Sequence, residues 1–102
     1  MSSEYYRHFI KNYSDRLRLE GFTVLNILEN PEKIPVFNGV KPEIFARDNN
    51  LERIIVVKEK RDYIKSRDAL EKLKKYARSD KYTSFWGFIV KDDSWSLVDN
   101  II

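Results

Sequence analysis

The sequence predicts an α/β (α+β) fold: a small mixed β-sheet of about four to five strands flanked by two helices, in the order α-β-β-β-α-β(-β). Three observations carry this expectation. Two stretches place apolar residues at steps of three and four, the signature of amphipathic helices. Around them lie β-branched and aromatic runs bounded by Asn, Asp, Pro and Gly, as strands and turns are. A helix-length segment separates the third run from the fourth, so that pair is expected to be parallel through a right-handed crossover.

The first helix is read from Ser2 or Ser3, either of which can cap it, to about Leu19, with Tyr6, Phe9, Ile10, Tyr13 and Leu17 on one face. Gly21 stops it. Phe22 to Leu28 is apolar enough for a strand, with Phe22, Val24 and Leu25 inside, and Asn30-Pro31-Glu32-Lys33 ends it. Pro35 and Gly39 make Ile34 to Val40 a loop or a short irregular edge. Glu43 to Arg47 and Arg53 to Lys60 then read as a hairpin with the polar tip Asp48-Asn49-Asn50. Ser66 is placed to cap a second helix over Arg67 to Arg78, with an apolar stripe of Ala69, Leu70, Leu73, Tyr76 and Ala77 and a Glu71–Lys75 pair. Phe85 to Val90 is nearly all apolar, as a strand covered on both faces is, and holds Trp86 as a buried residue. A turn at Lys91-Asp92-Asp93-Ser94 leads to a last short strand, Trp95 to Val98, which leaves Trp95 partly exposed.

A chain of 102 residues is expected to form one domain with a single modest core. Hydrophobic residues make up 42% and charged ones 34%, the balance of an ordinary soluble globule and not of a disordered chain. Lys and Arg number 19 against 16 Asp and Glu, for a formal net charge of +3. That excess permits phosphate binding without demanding it. The absence of Cys excludes disulfides and thiolate zinc sites. No apolar run approaches the about 18 residues of a membrane span, so a soluble, intracellular, cytoplasmic protein without a membrane partner is expected. Enrichment in Lys, Glu, Arg and Tyr is compatible with a thermophilic source. There is no Gly-rich phosphate loop, nucleophile elbow or metalloprotease helix. His8 has no second His or Cys at ligand spacing.

The order of elements, the Pro42-Glu43 step opening the hairpin, and a lysine near the end of the next strand resemble the restriction-endonuclease-like, or PD-(D/E)XK, nuclease superfamily. The span from Val40 to Val90, with its Leu73-to-Ala77 LKKYA helix and the apolar strand behind it, is similar to small members such as archaeal Holliday junction resolvases. What the resemblance implies is a site in which two carboxylates hold Mg²⁺ or Mn²⁺, the metal activates water, and a lysine positions that water. Glu43 matches the first acidic position, with Glu for the usual Asp, and is the implied metal ligand. The second fails in either register. With Lys58 as the lysine, the acid's place holds Val56; with Lys60, it holds Lys58. Glu59 should point to the opposite face, since strand side chains alternate. Glu4 and Glu71, each on a helix, are the remaining candidates for a second ligand.

Two functions stay open at this point. In the first, a nuclease-like domain contacts DNA or RNA through Arg61, Lys65, Arg67, Lys72 and Lys75 together with Lys58 and Lys60, with hydrolysis weak or lost. In the second, the scaffold is a protein-interaction module using the Trp95-to-Val98 edge or surface aromatics. The resemblance also implies a homodimer or a partner protein, because cutting two strands needs two sites. The plainer readings are that Glu43 only starts a strand, that Lys58 and Lys60 are solvated guards of a strand end, and that Lys72, Lys74, Lys75 and Arg78 are a wet helix face.

Overall fold

The computed structural model describes residues 4–101. The order is α1 (Glu4–Leu19), β1 (Thr23–Asn26), β2 (Ile44–Arg47), β3 (Glu52–Glu59), α2 (Lys60–Lys65), α3 (Arg67–Ser79), β4 (Thr83–Lys91) and β5 (Ser94–Ile101), with a 3₁₀ turn at Pro31–Lys33. The five strands form one mixed sheet in chain order, β3 and β4 parallel and every other pair antiparallel. The expected mixed α+β order is therefore the order observed. Ser2 and Ser3, the expected caps of α1, lie outside the described residues.

Alternation along β3 divides the core into two layers. Ile55 and Val57 face α1, packing with Phe9, Ile10 and Leu17, while Ile54 and Val56 face α3, packing with Leu70, Leu73, Ala77 and Phe85. A strand apolar on both faces is what a sheet covered by helices on each side requires. Full burial of Phe85, Ile54 or Ile55 contributes about 2 kcal/mol each. Gly21 ends α1 at φ +100°, where its own N–H and that of Phe22 return to the carbonyls of Arg18 and Leu17 at 3.0 and 3.1 Å.

Four departures from the expected elements have local causes. The first strand stops at Asn26 instead of running to Leu28. Asn26 is fully buried, and its Oδ1 accepts the N–H groups of Leu28 and Glu29 at 3.0 and 2.8 Å, which turns the chain there; its amide donates to the buried Ser14 hydroxyl at 3.0 Å. The sheet carries three helices and not two, because Lys60, expected to end β3, begins α2. Ser66 stands between α2 and α3 but offers no side-chain cap; its N–H instead closes α2 onto the carbonyls of Asp62 and Tyr63. Glu71 pairs with Lys74 at 3.6 Å and Arg78 at 3.9 Å, where the spacing had suggested Lys75.

The hairpin tip is as expected: Asp48 Oδ1 accepts the N–H groups of Asn50 and Leu51 at 2.9 and 2.8 Å. Residues 34–40 form a loop pinned by a Phe37–Val40 bridge. Leu25 and Trp86 are half-buried, short of the full burial expected of them. The last strand is longer than Trp95 to Val98, running from Ser94 to Ile101 with a register shift opposite Gly87 and Phe88. Among the described residues no helix is long and apolar enough to cross a membrane.

Candidate functional site

Glu43 follows the buried Pro42 and stands one residue before β2. Its carbonyl accepts the Ile27 N–H at 2.9 Å, which ties this point to the end of β1. The register of β2 on β3 ends at Ile44 and Ile55, so β3 overhangs the start of β2. In that overhang the Val57 N–H donates to Glu43 Oε1 at 3.2 Å. Lys58 Nζ donates to Oε2 at 2.8 Å, and the Tyr6 hydroxyl, coming from α1, donates to the same oxygen at 3.4 Å.

The pair is held in a largely desolvated place. The Glu43 side chain is 7% exposed and that of Lys58 26%. A carboxylate so buried requires partners for its charge, and it has one ammonium, one amide and one phenol. Burial, and then Glu43, hold the Tyr6 phenol well above its ordinary pKa, and Asp62 and Glu59 push the same way. Two further carboxylates are thus close enough to act on the hydroxyl that bonds Glu43.

The lysine whose side chain meets Glu43 is Lys58. In the register that uses Lys58, the position the resemblance gives to a second acid is Val56, which is 1% exposed and packed in the layer under α3. A divalent ion bound through hard oxygen ligands does not fit this donor set. Both Glu43 oxygens are engaged, the second position is aliphatic, and among the described residues no group of three or more His, Cys, Asp and Glu is placed to hold a metal. Glu4 stands exposed beside Tyr5, His8 and Asp92 in a surface depression, and Glu71 lies on α3 with Lys74 and Arg78. Neither completes a ligand set with Glu43.

The other basic candidates lie on the two helices that follow β3. Lys60, Arg61 and Lys65 are exposed on α2, Arg67 opens α3, and Lys72 and Lys75 lie exposed further along it. Lys58 alone of the named cations is joined to Glu43. Tyr6 was missed as a member of the site, and Tyr63 as a buried contact of the sheet. Tyr6 is legible as a residue of the buried face of α1, but its bond to Glu43 depends on where β2 begins. Tyr63 reaches across β4 toward Gly87 and Asp99, from a helix too short for its periodicity to be read. Comparison with models of known families gave no match, and neither did comparison with curated proteins.

Proposed function

We propose that this chain is a nucleic-acid-interacting domain of the PD-(D/E)XK nuclease-like fold, in which metal-dependent phosphodiester hydrolysis is weak or lost. The observation that carries the reading is the Glu43–Lys58 pair where β2 begins and β3 overhangs it, with Val56 in the second acidic place. A lysine seated on the carboxylate compensates its charge, and an aliphatic side chain beside it offers nothing to a metal. The exposed cations that follow in α2 and early α3, Lys60, Arg61, Lys65 and Arg67, would meet DNA or RNA phosphates and bring salt-dependent affinity.

A second reading, a protein-interaction module on the same scaffold, is favoured by one observation. Strand β5 is at the edge of the sheet and exposes Trp95, Leu97 and Val98, and among the described residues no strand covers its outer side. A partner protein or a second copy of the chain would seat there.

The test is cleavage of plasmid, linear and branched DNA with Mg²⁺ or Mn²⁺, beside binding in EDTA, for the wild-type protein, Glu43→Gln and Glu43→Ala. Binding without cleavage is the expected result. Metal-dependent cleavage that disappears in Glu43→Gln would show an active nuclease with a second ligand. Neither cleavage nor binding would leave the interaction module.

A further inference from the structure

We infer that the groove between α1 and the β4–β5 end of the sheet is a stacking site for unpaired bases of a single-stranded nucleic acid. The inference rests on the reading of the chain as a nucleic-acid-interacting domain and names the form of nucleic acid and the surface that takes it.

The groove encloses about 440 Å³, within the range of sites that hold small ligands. Its lining includes the half-buried rings of Tyr13 from α1 and Trp86 from β4 and the exposed ring of Trp95 from β5, with Phe88 of β4 buried in the core next to them. Tyr13 and Phe9 stack with ring centroids 5.6 Å apart, and Phe88 meets Trp95 edge-on at 5.7 Å. These contacts hold the rings against one another, and among them Trp95 remains 51% exposed. A fixed, half-exposed ring presents a π-face at little entropic cost.

The polar groups of the same groove are weighted toward donors and positive charge. His8, Asn12 and Arg16 project from α1, and Arg53 lies between the Phe22 and Trp86 rings, its guanidinium 4.8 and 5.1 Å from their centroids. Glu20 is the one carboxylate lining it, and its 3.9 Å pairing with Arg16 is exposed and weak. Flat faces beside guanidinium and amide donors suit a ligand that is planar, rich in acceptors and anionic. Unpaired nucleotides have all three properties, and stacking on aromatic and Arg planes is how single strands are held. A duplex keeps its base faces inside its own stack and cannot use them. An apolar peptide would fill the space but has no use for the guanidinium groups.

Both tryptophans of the protein line the groove, so its occupancy is read in their fluorescence. Titration in EDTA with a single-stranded oligothymidylate, and separately with its duplex with oligoadenylate, should show quenching by the single strand and at least about tenfold weaker quenching by the duplex. Trp95→Ala, which keeps Trp86 as reporter, should weaken single-strand binding about tenfold while duplex binding, followed by anisotropy of the labelled DNA, is unchanged, and the surface change Arg16→Glu should weaken single-strand binding about tenfold and duplex binding less. Single-strand binding that ignores both substitutions would overturn the groove and leave the nucleic-acid reading intact. Absence of any binding would overturn both. Fluorescence that changes with protein concentration alone, with a dimer mass by light scattering, would give the groove to a second copy and overturn the inference.

Discussion

The Glu43 carboxylate is the residue on which most depends, because a buried charge is tolerated only while its partners remain. Replacing Lys58 with Met should destabilise the fold by about 2–3 kcal/mol in urea denaturation, leaving the carboxylate with neutral donors only. Adding Glu43→Gln to that variant should recover part of the loss, since an amide still accepts from Val57 and carries no charge. A Lys58→Met cost within about 0.5 kcal/mol would mean that the pair does not form as described. Tyr63 poses the opposite case. Its hydroxyl is buried without a hydrogen-bond partner, and burial first, then Asp99, push its pKa up to about 12 from 10.0. Tyr63→Phe should therefore be neutral or stabilising by about 1 kcal/mol. The sign with pH follows from linkage: the unfolded phenol loses its proton first, so the stability this group contributes is complete below pH 10 and is lost as pH rises toward about 12. Denaturation across that alkaline range should be flatter for Tyr63→Phe, and tyrosinate absorbance should lose a late-titrating component.

At the scale of elements, α2 and β4 are locked by the close approach of Tyr63 to Gly87. A side chain at residue 87 would meet the Tyr63 hydroxyl first, and then the Asp99 side chain at 3.3 Å. Gly87→Ala should cost about 1–3 kcal/mol by thermal or urea unfolding, and Tyr63→Phe in that background should restore part of it, because the hydroxyl is the nearest atom met. An additive double mutant would contradict the contact. The same element marks where sequence reading stopped. The long periodic helices α1 and α3 and the β-branched core of β3 were legible because many positions vote for each. Helix α2 has six residues, too few for a period, and its start at Lys60 depends on where β3 leaves the sheet. The candidate site was half legible for the same reason. Pro42-Glu43 and a nearby lysine stand in the sequence, but that the side chains meeting Glu43 are those of Lys58 and Tyr6 follows from a strand overhang that only the pairing register defines.

Across the whole molecule, the formal net charge is +3, and the bare β5 edge lies at the far side of the sheet from β1. On the proposed reading, affinity for nucleic acid should be moderate and electrostatic in its backbone contacts, with ion release setting its salt dependence. The most direct measurement is anisotropy of labelled single-stranded, duplex and branched DNA with the wild-type protein in EDTA, repeated over a series of KCl concentrations. The account predicts metal-independent binding whose log K falls linearly with log salt, with a slope of about −2 to −4 for a few phosphates met. No binding at the lowest salt, with the protein folded, would contradict it and turn attention to a protein partner at the β5 edge.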